Sequence, residues 1–457
     1  MNGVNTLQSI QAFYDAGNTR SYAFRIEQLK KLRNAVIEHE EEIYTALKKD
    51  LNKSKEECWI TESGILLSEI NGAIRKLKKW MRPRRVRTNI LNFPSSSFIY
   101  PEPRGVTLII GPWNYPFQLL MIPLVGSMAA GNCTVLKPSE MAVHTAALIQ
   151  KIIVTHFSEN YIRVYEGDGA TVIPALMNSF TFDYVFFTGS TAVGKKIYAM
   201  AAEKLVPVTL ELGGKSPCII EADANLEVSA KRIASVKFSN SGQMCIAPDY
   251  VLVHESIKDK WLQTLEKIML QFYGDPYSLT NELGNIINQK QFDRLLHYLQ
   301  DAEIKIGGHY NREQLFIAPT VLTSINMNTP IMQEEIFGPI LPVIPFKDRK
   351  EALQIIEQNL NPLSLYIFSN KKRNTDFWLQ NVAFGGGCIN NAGYHFTNKN
   401  LPFGGRGQSG IGAYHGYYSF KIFSHQKSIM KTPTWFDPSI KYPPFTGKLN
   451  LFKKVLG

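Results

Sequence analysis

The chain has 457 residues, which at about 150 residues per domain corresponds to roughly three folding units. Hydrophobic residues make up 44% and charged residues 19%, a globular balance that excludes a disordered or collagen-like chain. The net charge is 50 − 39 = +11, but Arg75–Arg87 alone holds eight basic and no acidic residues, so the rest carries only 11 − 8 = +3.

The N-terminus, MNGVNTLQSIQAF, lacks the basic-then-apolar pattern of a secretory signal. Residues 1 to about 81 read as helical, because Leu29, Leu32, Val36, Ile43 and Leu47 recur at helical spacing between charged residues. The basic run Arg75–Arg87 invites a nucleic-acid or anionic-membrane reading. No aromatic stacking platform or binding motif accompanies it, so a solvated helix and an oligomer edge are expected. Residues 82–105 are rich in Pro and Ser with β-prone ends and predict an extended excursion. Gly105–Leu136 carries no charge over 136 − 105 + 1 = 32 residues, and about 20 apolar residues suffice to span a bilayer. Gly111, Pro112, Asn114, Pro116, Gln118 and Pro123 interrupt it, however, and in lipid the freed backbone groups would lack partners. A buried strand Val106–Ile110, a loop, and a buried helix from about Gln118 to Ala130 are expected instead.

From Val106 onward, apolar runs (VTLII, TVLK, DYVFF, PVTLEL) alternate with small-residue loops and helical stretches. That alternation marks βαβ units and a parallel sheet, hence an α/β fold. A second series begins near Cys218 with CIIEAD, YVLVHES and APTVLTSI. Beyond Asn391 the chain is rich in Gly and aromatics, and Pro-spaced segments follow from Pro433 to Pro444. The five cysteines form no CxxC pair, and the nine histidines show no zinc-type spacing. Neither a disulfide framework nor a structural metal is expected, and a reducing, cytoplasmic setting fits.

Several short segments hold residues suited to chemistry. At Phe187-Thr188-Gly189-Ser190 a strand enters a glycine turn and leaves into a helix expected over Lys195–Lys204, a geometry that favours an anion such as pyrophosphate, or is a plain turn. At Lys137-Pro138-Ser139-Glu140 a strand meets a helix start, with Pro138 in the first turn and Ser139 as cap. Lys137 and Glu140 suit a ribose diol, or form a surface ion pair. Glu211 ends an apolar strand beside Gly213 and Gly214; if buried, it becomes a general base, and otherwise it is an edge carboxylate. Cys245 in NSGQMC has small, polar neighbours, which suits an accessible nucleophile, whereas Cys133, Cys218 and Cys388 read as inert core thiols and Cys58 as incidental. Asn114 in GPWNYPF is a lone amide in the uncharged segment. It either ties down its loop or faces a developing oxyanion. Glu334-Glu335-Ile336-Phe337-Gly338-Pro339 is either a helix end or a hold on a cofactor hydroxyl.

Taken together and in order, PWNYPF, LKPSE, FTGSTAVG, LELGGKSP, SGQMC, EEIFGP and LPFGGRGQSG closely resemble the aldehyde dehydrogenase superfamily. SGQMCIAPDY, the short N-terminal part and YHGYYSF look most like its class 3 branch, which acts on fatty and aromatic aldehydes. The resemblance runs from about residue 5 to about residue 445. It implies NAD(P)-dependent oxidation of an aldehyde to a carboxylic acid. Cys245 would attack the aldehyde carbon, and the Asn114 amide and the Cys245 N–H would hold the oxyanion. Glu211 would activate the water that hydrolyses the thioester. Lys137 and Glu140 would meet the adenine ribose, Gly189 and Ser190 the pyrophosphate, and Glu335 the nicotinamide ribose. Phe337 would lie beside the ring, with Trp113 lining the cleft. NAD is the expected cofactor, with NADP possible because the Glu140 side chain can swing away.

The implied fold has a Rossmann-type cofactor domain (1–82 and 104–212), an α/β catalytic domain (213–395), and a β bridging and oligomerisation element (83–103 with 396–457). A homodimer is expected. Two rivals share the scaffold: a dehydrogenase that passes the acyl group to coenzyme A, against which Glu211 argues, and a non-redox thiol esterase or binding protein, against which the cofactor set argues. The tail Lys448–Leu456 is basic and partly apolar, too short to span a bilayer, and leaves reversible surface association as an idea.

Overall fold

The structure, a computed structural model, describes residues 2–274, 283–300 and 302–456. The expected N-terminal helices are present as Asn2–Asp15, Tyr22–Glu38, Glu40–Leu51 and Gly64–Trp80. The last of these is reached through a short helix Lys55–Cys58 and one π-helical turn, Trp59–Ser63.

Six strands form the first sheet, in the order Gly410–Ile411, Val208–Glu211, Tyr184–Thr188, Val106–Ile110, Cys133–Lys137 and Ile162–Val164. All pairs are parallel except the first. Val106–Ile110, Cys133–Lys137 and Tyr184–Thr188 are buried along their whole length. Helices cover both faces of such a sheet, so its strands read as continuous apolar runs rather than alternating ones. The uncharged segment resolves as the strand Val106–Ile110 and the helix Gln118–Ala130, all but one of whose residues are buried.

Seven strands form the second sheet, in the order Glu303–Ile306, Thr320–Thr323, Ile340–Phe346, Tyr250–His254, Pro217–Ile220, Ser364–Phe368 and Gly386–Ile389. It too is parallel apart from the edge strand Glu303–Ile306. The excursion at 82–105 supplies Arg84–Val86 and Ser96–Pro103, which join Ser424–Lys431 in a three-stranded antiparallel sheet. Six of the eight basic side chains of Arg75–Arg87 lie on exposed residues before Arg85, and Arg85 and Arg87 are exposed as well. No helix among the described residues is long and apolar enough to cross a membrane.

Two helix starts differ from expectation. The helix after Lys137 begins at Val143, not at Pro138, and Ala142 stands at its cap. Ser139 instead accepts from the N–H of Met141 in the intervening turn. The helix after Gly189 begins at Thr191, capped by Ser190, and ends at Glu203.

Candidate active site

The carboxyl ends of the parallel strands in the first sheet gather the chemistry. Register pairs Ile110 with Lys137 and with Phe187, and Thr188 with Glu211. Lys137, Thr188 and Glu211 therefore end neighbouring strands on one edge, just where an open α/β sheet forms a ligand crevice.

Cys245 is presented by unusual backbone. Asn240, Ser241 and Gly242 have φ of 48°, 51° and 70°. This left-handed region costs L-residues roughly 1–2 kcal/mol each, so contacts must hold it. The Glu57 carboxylate accepts from the Asn240 N–H at 2.8 Å and from the Ser239 hydroxyl at 3.1 Å. The Ser241 hydroxyl donates to the Gly284 carbonyl. A Cβ at Gly242 would lie 2.2 Å from the Gly338 carbonyl oxygen, so only glycine fits. Gln243 is fixed by the backbone of Asn240, Asn285 and Ile287. Cys245 emerges half-buried on the wall of a cavity of about 350 Å³. Tyr115, Leu119, Met244, Tyr394, Phe396 and Phe403 give that cavity mostly apolar walls. Burial pushes the Cys245 thiol well above its usual range. The Glu335 and Glu211 carboxylates push it further, and the backbone N–H groups of Cys245 and Ile246 oppose them.

Glu211 lines the same cavity. Its backbone is pinned on both sides: it pairs with Gly410, and its carbonyl accepts from the Gly189 N–H at 3.0 Å. Its carboxylate is buried, and neither oxygen has a protein partner. The adjacent Thr188 hydroxyl is buried and unpartnered as well. Buried polar atoms are normally satisfied, so these two adjacent unpartnered groups set this wall apart from an ordinary core. Burial alone raises the Glu211 carboxyl well above the ordinary carboxylate range.

Asn114 is buried, and its side-chain N–H donates to the Gln243 carbonyl at 3.0 Å, two residues before Cys245. Its own carbonyl accepts from the Asn240 side chain at 2.8 Å and from Lys53 Nζ at 3.2 Å. Lys53 and Glu62 form a fully buried ion pair at 2.7 Å. The other Glu62 oxygen accepts from the Gln118 N–H at 2.9 Å, and the Lys53 ammonium lies 3.9 Å over the Tyr115 ring. Burial pushes the Glu62 carboxyl up, and the Lys53 charge works against it. Sequence reasoning missed Glu57, Lys53 and Glu62. Nothing in KSKEECWITES separates the buried charges from the exposed ones.

On the cofactor side, Lys137 is buried and Glu140 exposed, and they pair at 2.9 Å. Ser190 Oγ accepts from the Val193 N–H at 3.4 Å, which leaves Gly189 and Ser190 at a helix N-terminus. Glu335 lies against Gly213, where a Cβ would come within 2.0 Å of its carboxylate. Its pKa is raised to about 8, first by burial and then by Asp249; the Gly214 N–H, Lys215 and Arg294 oppose the rise. The Trp113 and Phe337 rings meet edge to face, 5.2 Å apart at 80°. Lys215 and Arg294 hold the turn between them. Lys215 donates to the carbonyls of Ile331 and Glu334 at 2.6 and 3.0 Å, and Arg294 to those of Glu335 and Ile336 at 3.3 and 2.8 Å. A capped helix N-terminus suits a pyrophosphate, and carboxylates suit ribose hydroxyls. The donor set fits a dinucleotide.

The sequence profile of the aldehyde dehydrogenase family matches residues 8–429. The chain belongs to that family. It is 45% identical over 445 residues to the 4,4'-diaponeurosporen-aldehyde dehydrogenase of Staphylococcus aureus, covering 97% of this chain and 96% of that enzyme. It is 39% identical to the dimeric, NADP-preferring aldehyde dehydrogenase of Rattus norvegicus, covering 97% and 98%. The solved structure described as the substrate-bound state of Staphylococcus aureus AldH superimposes with a TM-score of 0.96 at 44% identity, covering 99% of each chain. The protein is thus a class 3-like aldehyde dehydrogenase, an NAD(P)-dependent enzyme that oxidises an aldehyde to a carboxylic acid.

Proposed function

We propose that Cys245, Asn114 and Glu211 carry this oxidation, and that the product acid is released by water rather than by coenzyme A. One observation carries the proposal: Glu211 and Cys245 line the same cavity, and neither Glu211 carboxylate oxygen is tied up by a protein hydrogen bond. Cys245 is held up by burial and needs a base to become a thiolate, the form that attacks a carbonyl. Glu211, itself raised, is matched to accept that proton. The thiolate adds to the aldehyde carbon, and the second N–H of the Asn114 amide with the Cys245 N–H hold the oxyanion. A nicotinamide held in the crevice would supply the oxidant, taking up the hydride that the thiohemiacetal carbon loses as it becomes the thioester. Once Glu211 has passed the thiol proton to solvent, its carboxylate removes a proton from the water that attacks the thioester, and collapse of the adduct expels the Cys245 thiolate and the acid.

On the cofactor side we assign Lys137 and Glu140 to the adenine ribose, Gly189 and Ser190 to the pyrophosphate, and Glu335 to the nicotinamide ribose. Phe337 would lie beside the nicotinamide ring, and Trp113 would line the cleft. NAD is the favoured form, because an exposed Glu140 carboxylate on the ribose would repel a 2′-phosphate. The apolar, aromatic cavity suits a long or bulky apolar aldehyde. The 4,4'-diaponeurosporenal named for the Staphylococcus relative belongs to that class. Residues 1–82 with 104–212 are read as the cofactor domain and 213–395 as the catalytic domain. Residues 83–103 with 396–457 are read as a bridging element of a cytoplasmic homodimer.

The test is NAD(P)H formation on short, long-chain, polyene and aromatic aldehydes, with NAD or NADP, with and without coenzyme A. Oxidation independent of coenzyme A and fastest on the large apolar aldehydes is expected. A strict coenzyme A requirement would overturn the role given to Glu211.

A further inference from the structure

Far from the catalytic cavity, the tertiary fold brings two histidines together across 117 positions of sequence. His39 is buried at the junction of the helices Tyr22–Glu38 and Glu40–Leu51. His156 is half-buried at the end of the helix Val143–His156. Their Nε2 atoms stand 3.2 Å apart, with ring centroids 5.5 Å apart and planes near perpendicular. Glu38 Oε2 is 3.8 Å from His156 Nε2, and all three ligand atoms lie within 4.8 Å of one another.

We propose that His39, His156 and Glu38 form a binding site for a divalent transition-metal ion such as Zn²⁺, separate from the dehydrogenase site. Four observations carry it. The donor set of two imidazoles and one carboxylate is one that zinc and its neighbours favour. At the usual metal–nitrogen distance of about 2.0–2.1 Å, nitrogens 3.2 Å apart subtend about 103° at the ion, close to tetrahedral. The rings now face nearly head-on, so each turns to aim its lone pair at an ion seated on the Glu38 side. That carboxylate is exposed and free to close the remaining gap, and water completes the shell.

The tautomer of His39 is set as a metal site needs it, and His156 Nε2, the donor of the metal-free pair, would release its proton to bind the ion. His39 Nδ1 is 2.9 Å from Glu42 Oε1 and donates to it, which leaves Nε2 as the lone-pair donor. Lys151 in turn holds the other Glu42 oxygen at 2.6 Å. This carboxylate–histidine arrangement is the orienting partner that metal-bound histidines normally carry.

The position also has a mechanical sense. Helices Glu40–Leu51 and Val143–His156 lie side by side and antiparallel. One end is already fastened: the Asp50 carboxylate accepts from the His144 and Thr145 N–H groups at 3.1 and 2.8 Å. The proposed ion fastens the opposite end. The second helix follows the strand that carries Lys137, so the staple would brace the cofactor side of the fold.

The test uses the full chain with Cys245→Ser, which removes the reactive thiol as a competing zinc ligand. Isothermal titration with Zn²⁺ and with Co²⁺ should give one ion per chain, and Zn²⁺ should raise the melting temperature. His156→Gln should abolish binding, Glu38→Gln should weaken it at least tenfold, and Glu42→Gln should weaken it about 10–100-fold through the His39 tautomer. Glu38 is exposed, so that variant keeps the fold and the test does not depend on His39 surviving substitution. Ordinary folding with no stoichiometric ion, or with affinity equal across all variants, would reduce the cluster to a hydrogen-bonded histidine pair and overturn the proposal.

Discussion

Substitution of Lys53 tests how the fold holds the oxyanion donor. Lys53 and Glu62 are fully inaccessible to solvent, and Lys53 Nζ serves Glu62 Oε1 at 2.7 Å, Asn114 O at 3.2 Å and the Tyr115 ring at 3.9 Å. Lys53→Met leaves the Glu62 charge buried with only backbone N–H groups to hold it, those of Gln118 at 2.9 Å and of Phe117. Removing one partner of such a pair costs about 3–5 kcal/mol. At about 2–4 °C per kcal/mol for a domain of this size, melting should fall by roughly 6–20 °C. Replacing both charges, as Lys53→Met with Glu62→Leu, removes the uncompensated charge and should recover most of that loss, because apolar replacements of buried pairs are often neutral or better. Activity should not recover with it. The Asn114 carbonyl still lacks its lysine donor, and the Gln118 N–H loses its cap. Scanning fluorimetry and steady-state NADH formation on all three variants separate the two effects. Lys53→Met melting within about 2 °C of wild type would refute the energetic argument. A double variant with both stability and kcat restored would refute the positioning argument.

The remaining expectations concern chemistry. Cys245→Ser should lose NADH formation while retaining cofactor binding by fluorescence quenching; wild-type turnover would remove Cys245 from the mechanism. Glu211→Gln should lower kcat by about 10²–10⁴-fold and let an acyl adduct accumulate on Cys245, visible by intact mass. Glu211 works only when ionised and its native pKa is raised, so wild-type turnover should climb with pH through a midpoint above the ordinary carboxylate range. A midpoint at the ordinary value would contradict its burial. The same raised pKa makes a stabilising contribution that is full below the unfolded value of about 4.3 and is lost as pH rises towards the native one. The fall in melting temperature from pH 5 to pH 8 should therefore be smaller in Glu211→Gln than in wild type. Glu140→Ala should raise kcat/KM for NADP relative to NAD; an unchanged ratio would mean that Glu140 does not meet the ribose.

Much of this protein was legible in the linear sequence because its signals are local. Continuous apolar runs identify strands buried on both faces, and the proline-broken segment at 105–136 resolves as the strand Val106–Ile110 and the helix Gln118–Ala130. Short motifs in turns and at strand ends singled out Cys245, Glu211, Asn114 and the cofactor-side residues as candidates, and the fold brings Cys245 and Glu211 onto one cavity. Helix starts were less legible. Pro138 and Ser139 carry good capping chemistry, yet the helix waits until Val143, where Asp50 from a distant helix receives its first N–H groups. Only the tertiary structure decided which charges are buried. Lys53 and Glu62 look like any other charges on an exposed helix, and their burial, like the contact of the half-buried Glu57 with Asn240, depends on the Asn114 loop and the Asn240–Gly242 turn packing onto them. The pairing of His39 with His156 is of the same kind. Charge and metal-ligand chemistry depend on distance in space, and the sequence records distance only along the chain.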